Sequence, residues 1–348
     1  MKKVISCSSY NGTGSSAITD LISEYNGVKS LTEYEFRFIQ DTDGVMDLEY
    51  HLVQNPNRLN SGHALKRFWK LSKFNAGNII DKRYTRFLTK GYLDATKRYI
   101  DSLTILKFKG YWFMDLYELG TFRYYMKSLV SKIASKLHLF YCKLPNESCY
   151  CAIASEEKFL KETRSYINEI LKLANPDNAD FLMIDQLTPS SNINKCLRYF
   201  DDNFCTILVD RDPRDIYVIN ATKWHDGLIP NTVEGFCVWY DYVHRCNEGQ
   251  EVDTKKVLKI QFEDIIYKYN NVVEDIENFV GLSSDKHTEK FSKMNPKRSI
   301  YNTRLFEKYP KQEDIKYIEE HLEKYLYDFD KVKSNEILGI EPNSTESF

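Results

Sequence analysis

A glycine- and serine-rich segment near the start of the chain has the residue types needed to hold a phosphate-like anion. Residues 8–16 read Ser-Ser-Tyr-Asn-Gly-Thr-Gly-Ser-Ser and join an apolar run at 3–7 to a helical pattern at 17–22. A loop that passes from a buried strand into a helix exposes backbone N–H groups at the positive end of the helix dipole, where anions bind. The segment lacks the Gly-Lys-Ser/Thr of a Walker loop, so the alternative is a tight turn with a serine N-cap. The candidate ligands are Asn11, Gly12, Thr13, Gly14, Ser15 and Ser16.

A second group of charged side chains lies in an apolar and aromatic stretch at 28–38. The pattern predicts a strand, and because successive side chains of a strand alternate between its faces, Glu33, Glu35 and Arg37 would share one side. Both faces of a parallel strand are normally buried, so these charges would either pair with each other at an edge or line a cleft. In a cleft, one carboxylate is a candidate general base, because open α/β sheets bind ligands at the carboxyl ends of their strands.

The third candidate is the run Val-Asp-Arg-Asp-Pro-Arg-Asp at 209–215. The buried strand predicted before it would deliver Arg211 to the same carboxyl edge, and Pro213 suits the first turn of a new helix. An arginine held at a helix start is a good bidentate ligand for phosphate. The alternative is a surface turn whose charges pair with each other.

The elements that would position these residues alternate along the chain. Short apolar runs separated by helical patterns predict the α/β class, with a central parallel β-sheet flanked by helices. Residues 1–330 are predicted to form one domain, with a mostly helical cap inserted at about 47–140, and residues 331–348 a polar C-terminal tail. The predicted strands are 3–7, 28–38, 149–154, 181–185, 204–209 and 257–260.

Composition excludes several classes of protein. The 348 residues carry 48 Lys and Arg against 50 Asp and Glu, so a global basic field for nucleic acid is absent. Hydrophobic residues make up 42% of the chain, which excludes wholesale disorder, and no apolar run reaches the length of a transmembrane helix. A strand that begins almost at Met1 leaves no room for a signal peptide, and eight sparse cysteines are typical of reduced thiols. These features predict a cytoplasmic protein.

The three candidate segments, in this order, resemble the sulfotransferase family that uses 3′-phosphoadenosine 5′-phosphosulfate (PAPS). Residues 8–16 resemble the family's loop for the 5′-phosphosulfate, and 209–215 its element for the 3′-phosphate, which is also Arg-Asp-Pro-Arg-Asp in its usual form. Residues 258–264 and 272–282 resemble the segments that follow, and Lys297-Arg298-Ser299 lies where the family has a basic loop over the nucleotide. The resemblance covers most of the chain and implies the P-loop-like sulfotransferase fold.

A mechanism is implied by the resemblance. The acceptor hydroxyl attacks sulfur in line, a general base removes its proton, and adenosine 3′,5′-bisphosphate (PAP) leaves without help from a metal. Glu33 lies where the glycan-acting branch of the family has its catalytic glutamate, and Glu35 is its neighbour. His63 is the second choice of base, against the alternative of an exposed histidine at a helix start.

The sequence departs from the family pattern at two positions. Gly12 stands where the loop usually has Lys or Arg, and Ile219 stands where a serine usually follows the arginine, with Asn220 beside it. The charge on the leaving group would then be met elsewhere, for which the candidates are Arg37, Lys66 and Arg67.

An aromatic tract in the insertion is the candidate acceptor site. Core packing is expected for most of Tyr111–Met114, Tyr117 and Phe122–Met126, but rings over the active edge would stack on sugars or enclose a flat lipid. Trp112 and Tyr117, with Arg37 and Lys66, are the predicted substrate-binding residues. The acceptor is a glycan or a lipid or sterol alcohol, and a bacterial source fits the composition. The oligomeric state is left open.

Two other functions and one metal site are alternatives to the sulfotransferase interpretation. A nucleotide-dependent kinase on a related fold is disfavoured by the missing Gly-Lys-Ser/Thr and by the lack of an obvious Mg²⁺ carboxylate at a strand end. A non-catalytic relative that binds nucleotide or glycan is the other alternative. His138, Cys142, Cys149 and Cys151 cluster in sequence, but a C-x-C spacing is not that of structural zinc sites, so no metal is predicted.

Overall fold

The computed structural model describes residues 1–139, 147–224, 227–247 and 251–332. These form two compact units. The first comprises Met1–Phe36 and the described residues from Asn175 onward, and the second is Arg37–Ala174. The second unit extends beyond the predicted insertion at 47–140 at both ends. The predicted tail lies, from residue 333, outside the described residues.

Strands and helices alternate along most of the described chain. The strands are β1 Lys3–Ser9, β2 Val28–Ser30, β3 Thr104–Gly110, β4 Glu147–Ala152, β5 Phe181–Asp185, β6 Phe204–Asp210 and β7 Val257–Gln261. The helices are α1 Ser15–Ser23, α2 Val45–Glu49, α3 Arg58–Ala76, α4 Tyr84–Leu88, α5 Gly91–Leu103, α6 Asp115–Leu119, α7 Thr121–Lys136, α8 Glu156–Ala174, α9 Ile193–Leu197, α10 Pro213–Ile219, α11 Val233–Arg245, α12 Phe262–Tyr267, α13 Tyr269–Val280, α14 Pro296–Ser299 and α15 Gln312–His321. Short π-helical turns follow α2 and α10, at Tyr50–Gln54 and Asn220–Trp224.

The first unit contains a five-stranded parallel sheet in the order β2-β5-β1-β6-β7. This confirms the predicted α/β class with a central parallel sheet, in which β1 is the middle strand. Cys7 of β1 pairs with Asp185 of β5, and Ser9 pairs with Val209 of β6. Because all five strands run the same way, their carboxyl ends meet at one edge. The register therefore brings the ends of β1, β5 and β6 together at this edge.

Continuous apolar runs explain why β1 and β6 lie at the centre. Their residues are buried on both faces, as is usual for parallel strands covered by helices. One cluster joins alternate residues of these strands to α1, α12 and α13, and includes Ile5, Cys7, Ile18, Leu21, Cys205, Ile207, Ile265, Val273 and Ile276. A second cluster joins α10, α11 and α15, and includes Ile216, Phe236, Tyr240, Ile318 and Leu322.

The strand predicted at 28–38 is wrong beyond Ser30. β2 is Val28–Ser30, and the chain then continues in turns, bonded through Leu31 N to Met183 O and Phe36 N to Asp185 O. The pairing of β2 with β5 stops at Ser30 opposite Met183, before β5 itself ends at Asp185. Residues 33–38 alternate between charged and aromatic types, but they do not form a strand, so their side chains are not sorted onto two opposite faces.

The strand predicted at 149–154 does not belong to the parallel sheet. It is β4, and it pairs antiparallel with β3 in a two-stranded sheet within the second unit. The region predicted as mostly helical therefore contains the strand β3 as well. Lys107 and Lys109 alternate with apolar residues along β3, but the residues from Ile105 to Lys109 are exposed, so β3 lacks the buried apolar run by which the other strands were predicted.

The core of the second unit is built from aromatic rings and hydroxyl groups between α3, α5 and α8. Tyr99 and Tyr166 stack with ring centroids 4.6 Å apart, and Phe68 packs edge-on against both. Two pairs of buried hydroxyls are hydrogen-bonded there, with Thr96 Oγ1 2.9 Å from Tyr166 Oη and Tyr99 Oη 2.7 Å from Thr163 Oγ1. None of the helices in the described part of the chain is long and apolar enough to cross a membrane.

The aromatic tract in this unit is mostly exposed, contrary to the prediction of core packing. Trp112 is buried, but Phe113 is 76% exposed, Tyr117 82% and Phe122 79%. The stretch from residue 111 to 126 contains two helices, and their large side chains face away from the few buried positions of this region.

Candidate functional site

The loop between β1 and α1 depends on two glycines. Gly12 has φ of 83° and Gly14 has φ of 87°, a left-handed conformation that side chains with a Cβ disfavour. Both also lie against rings: a Cβ at Gly12 would be 2.7 Å from Trp224 Cζ3, and one at Gly14 would be 2.6 Å from Phe262 Cδ2. Only glycine combines this backbone conformation with the space that the two rings leave.

Thr13 fastens this loop to the sheet. Its side chain is fully buried, and its Oγ1 lies 3.0 Å from Tyr10 O and 2.7 Å from Val209 O, at the end of β6. The hydroxyl is thus engaged within the protein. Gly14 is the N-cap of α1 and no side chain caps that end, so the first-turn N–H groups, which begin at Ser15 and Ser16, have no side-chain acceptor there.

The loop and Arg211 are neighbours, as the sequence predicts. Arg211 follows β6, is 4% exposed, and donates from Nη1 to Gly12 O over 3.3 Å. Its Nη2 donates to Asn302 O, and its guanidinium lies 4.6 Å from the ring centroid of Phe262. One buried cation therefore links the loop, the end of β6 and the segment around residue 302.

The acidic residues near Arg211 hold the surrounding segments in place. Asp212 caps α10 through Arg214 N and binds the Arg214 side chain at 3.0 and 2.7 Å. Asp215 accepts hydrogen bonds from Arg304 N at 2.9 Å and Leu305 N at 2.7 Å. Arg211 and Asp215, in the run predicted to bind phosphate, thus also hold the segment at 302–305 through hydrogen bonds to its backbone.

Burial shapes the electrostatics of this cluster. Desolvation raises the pKa of Asp215 to about 7, against the opposing effect of Arg211 and two backbone amides. It likewise raises the pKa of Glu263 to about 8, with the neighbouring Asp212 as a second cause, and it lowers the pKa of Arg211. Arg211 Nε and Glu263 Oε2 are buried and have no hydrogen-bond partner among the described residues.

The remaining predicted nucleotide contacts differ in exposure. Lys297 and Arg298 are exposed on α14, whose N-terminus is capped by Asn295 through Lys297 N at 3.0 Å. Asn220 is fully buried, and its side-chain nitrogen lies 3.4 Å from Ile229 O. The amide nitrogen of Asn220 is therefore used within the protein.

Sequence reasoning missed an Asp–His pair at the end of β6. Nε2 of His244 lies 3.1 Å from both carboxylate oxygens of Asp210, and its Nδ1 lies 2.8 Å from Tyr240 O. The imidazole is stacked on Tyr10 at 4.0 Å and on Tyr240 at 4.2 Å between centroids. The partners are 34 residues apart, so the sequence offers only the strand-end position of Asp210 as a signal.

The expectation that no carboxylate ends a strand at this edge is wrong. Asp185 is the last residue of β5 and Asp210 is the last residue of β6, on the two sides of β1. Asp185 is the last residue of the predicted strand 181–185, and Asp210 directly follows the predicted strand 204–209. This removes one of the two reasons for preferring sulfuryl transfer over phosphoryl transfer.

The second unit brings together four predicted residues: His63, Lys66, Arg67 and Trp112. His63 Nδ1 lies 3.3 Å from Glu118 Oε1, and Lys66 Nζ lies 2.8 Å from Glu118 Oε2. The Trp112 ring is perpendicular to His63 with centroids 5.1 Å apart, and Lys66 Nζ lies 5.5 Å from its centroid. Arg67 completes the cluster, with Nη1 3.2 Å from His63 Nδ1.

His63 is buried, so the alternative of an exposed histidine is wrong. It is 6% exposed, and its Nε2 has no hydrogen-bond partner among the described residues. Burial lowers the pKa of His63, an effect that Lys66 and Arg67 reinforce and Glu118 opposes. If Nδ1–H donates to Glu118, Nε2 of the neutral ring carries the lone pair that a general base needs.

The other predicted residues are not brought into either cluster. Glu33 and Glu35 are exposed in the turns after β2, and Tyr117 is exposed on α6. Arg37 Nε bonds Asp41 Oδ1 at 2.9 Å, four residues along the chain. The argument that placed the two glutamates in a cleft depended on the strand that ends at Ser30.

Metal ligands are not grouped in the part of the chain that the structure describes. No set of three His, Cys, Asp or Glu side chains is arranged there to hold an ion. Cys142, one of four residues considered for zinc, lies outside the described residues. The cysteines within them are free thiols.

Comparisons with known proteins give limited similarity. No protein-family model and no curated protein matches the chain. Among solved structures, sulfotransferase STF9 from Mycobacterium avium aligns at 11% identity over 94% of this chain and 77% of that chain, with a TM-score of 0.36. Sulfotransferase STF1 from Mycobacterium tuberculosis H37Rv aligns at 12% identity over 82% of this chain and 70% of that chain, with a TM-score of 0.35.

Proposed function

We propose that the protein is a sulfotransferase, which moves a sulfuryl group from PAPS to a hydroxyl of an acceptor alcohol and releases PAP. The observation that supports this most is the contact of Arg211 with Gly12 at 3.3 Å. It joins an uncapped helix N-terminus, suited to one phosphate, to an arginine suited to another. A ligand with two separate phosphate groups, as in PAPS and PAP, would use both.

The donor would be held by the first unit. Backbone N–H groups at Ser15 and Ser16 would bind the 5′-phosphosulfate, and the unengaged Nε of Arg211 the 3′-phosphate. Trp224 lies against Gly12 and is 41% exposed, so its ring offers a face on which adenine would stack. Lys297 and Arg298 would add cations over the nucleotide.

Two further roles are needed: stabilising the charge on the leaving bisphosphate and removing the proton of the acceptor hydroxyl. Fixed N–H donors around the loop would stabilise the charge that develops on the departing bisphosphate, in place of the missing loop cation. Of the three candidate bases, His63 has the better-suited environment, because it is buried with a lowered pKa and an unengaged Nε2. Glu33 and Glu35 remain candidates from their position in the sequence alone.

The acceptor is proposed to be a small molecule, a glycan or a lipid alcohol, and no nucleic acid. In the second unit, Trp112 and Lys66 lie within 5.5 Å of each other and would contact the acceptor beside His63. Arg37 and Tyr117 are further candidates for acceptor binding. A cytoplasmic protein with no metal requirement is part of the same proposal.

A donor comparison tests the proposal directly. Purified protein is incubated with a panel of sugar and sterol alcohols and with either labelled PAPS or labelled ATP. We expect transfer of the sulfuryl label and none of the γ-phosphate. Transfer from ATP alone would show a kinase instead, which is the alternative that the strand-end carboxylates Asp185 and Asp210 favour.

A non-catalytic relative is the second alternative, and it follows from the missing loop cation at Gly12. It predicts tight PAP binding without turnover for any acceptor of the panel. Measurement of PAP binding alongside turnover distinguishes it from the enzyme.

A further inference from the structure

Helix α7 of the second unit carries its large apolar side chains on the surface. Phe122 is 79% exposed, Tyr125 61%, Leu129 51% and Ile133 51%, and Met126 and Val130 between them are also exposed. At 3.6 residues per turn, these six side chains fall within an arc of about 140°. The buried residues of the helix, Ser131 and Ala134, lie outside that arc. We call the six exposed residues the α7 stripe.

The charges of α7 border the stripe on both sides. The helix contains the cations Arg123, Lys127, Lys132 and Lys136, and no Asp or Glu. All four are exposed, and none forms an ion pair within the described residues. Helical geometry places Arg123 and Lys127 along one border and Lys132 along the other, whereas Lys136 lies within the arc in the last turn of the helix, after Ile133. An apolar stripe between two cationic borders is the pattern of helices that lie in the interface of a membrane.

Large apolar residues on both sides of α7 in the chain are exposed as well. Leu137 and Leu139 follow α7 and are 63% and 71% exposed, and Phe113 and Tyr117 precede it at 76% and 82%. Exposed apolar residues are ordinary when scattered singly, but a contiguous set of this size marks a surface that binds something. Tyrosine is well suited to a membrane interface, because its ring is apolar and its hydroxyl stays hydrated.

Charge decides between the possible occupants of this surface. A symmetric contact with a second copy would bring the four cations of one α7 towards those of the other, with no carboxylate on either helix to pair with them. An anionic bilayer complements the same cations. The helix does not span, since it has 16 residues, of which four are charged.

We propose that α7 docks the protein on membranes that contain anionic phospholipids, with the stripe at the level of the acyl chains and the cations at the headgroups. This inference does not depend on the proposed sulfuryl transfer. A lipid-linked acceptor would gain from it, because the enzyme and its substrate would share one surface.

Vesicle flotation with the full chain tests the docking. Vesicles of phosphatidylcholine and phosphatidylglycerol are compared with vesicles of phosphatidylcholine alone. We expect partitioning to the anionic vesicles at least tenfold above the neutral ones, and its loss when the salt is raised from about 0.1 M to about 1 M, where the screening length falls to roughly 3 Å.

Two variants separate the apolar and the charged contributions. Replacing Lys127 and Lys132 with Gln should lower the partition coefficient by on the order of tenfold or more, because each basic residue near an anionic surface contributes about fivefold. Leu129→Ser with Ile133→Ser should lower it by at least about tenfold, through lost apolar burial. All four positions are exposed, so folding, checked by circular dichroism, should be preserved.

A matched control removes equally exposed apolar residues elsewhere. Val238 and Tyr242 lie on α11 of the first unit and are 73% and 65% exposed. Val238→Ser with Tyr242→Ser should leave vesicle binding unchanged. The proposal is overturned if the wild type does not float with anionic vesicles, or if the control variant loses as much binding as the α7 variants. It is also overturned if Leu129→Ser with Ile133→Ser abolishes a dimer in light scattering while no vesicle binding is seen.

Discussion

Arg211 donates a hydrogen bond to the carbonyl oxygen of Gly12 across 3.3 Å, although the two residues are 199 positions apart in the chain. The contact exists because β1 and β6 are adjacent and parallel, so the segments that follow them leave the sheet at the same edge. A loop suited to one phosphate and an arginine suited to another thus meet without any other element between them. The proposed donor site is built on this pair.

Gly12 of the β1–α1 loop should not tolerate a side chain, because it combines a left-handed backbone with close packing against a ring. We expect Gly12→Ala to lower PAP affinity by at least tenfold and stability by about 1–3 kcal/mol, because the Cβ is strained at φ of 83° and would lie 2.7 Å from Trp224. Calorimetry and chemical denaturation measure the two effects.

Gly27→Ala is the control for backbone strain alone. Gly27 has φ of 90°, but a Cβ there would have no atom within 4 Å. Gly27→Ala should lower the free energy of unfolding through backbone strain alone, and the variant should keep its PAP affinity. Equal effects of the two variants on PAP binding would show that the close packing of the loop is irrelevant to the site.

Stability should depend on pH through Glu263 and Asp215. Burial raises the pKa of Glu263 to about 8 and that of Asp215 to about 7, so between about pH 4.5 and 8 the folded state binds more protons than the unfolded state. The free energy of unfolding should therefore fall as the pH rises through this range, by at most about 1.4 kcal/mol per pH unit for each group.

The variant Glu263→Gln identifies the source of that slope. It keeps the shape of the side chain and an acceptor for Asp212 N, but it cannot ionise. We expect a flatter dependence of urea midpoint on pH in the variant, above all between pH 7 and 8. A slope identical to that of the wild type would mean that Glu263 is ionised throughout the range.

His63 should affect turnover and leave donor binding unchanged. We expect His63→Gln to lower kcat by roughly 10²–10⁴ with the same affinity for PAP. Because burial lowers the pKa of His63, the acid limb of the rate profile should lie below the usual range of histidine. Glu33→Gln and Glu35→Gln, made for comparison, should retain activity; if one of them loses it and His63→Gln does not, the base is that glutamate.

The Asp210–His244 pair should stabilise the edge of the sheet. His244→Phe keeps a ring between Tyr10 and Tyr240 but removes the bonds to Asp210, and we expect it to cost about 1–3 kcal/mol of stability. His321→Phe is the matched control, since His321 stacks on Tyr317 at 3.8 Å in an exposed position. A loss no larger than that of the control would show that the ion pair contributes nothing.

Patterns within short segments of the sequence predicted the β1–α1 loop and its position beside Arg211. The apolar runs of β1 and β6 and the glycines of the loop are each contained in fewer than ten residues, and the rule that parallel strands share a carboxyl edge brings Arg211 to Gly12. These features needed no knowledge of distant partners.

The failures all depend on distant partners. Whether 28–38 is a strand depends on how far it pairs with β5, and that pairing reaches only Ser30, opposite Met183; the pairing of β4 with β3 depends on a segment much earlier in the chain. The pairing of Asp210 with His244 and the exposure of Phe122 are likewise set by packing. Periodicity in one segment does not contain this information.

Binding of PAP measured by isothermal titration calorimetry tests the central claim most directly. The wild type should bind PAP, and Arg211→Lys should bind it about 10–100-fold more weakly, because a lysine cannot span the contacts that the guanidinium makes. Arg245→Lys, on the exposed end of α11, should leave the affinity unchanged. If the wild type shows no binding, or if a folded Arg211→Lys protein binds as tightly as the wild type, the proposed cradle between the loop and Arg211 does not exist.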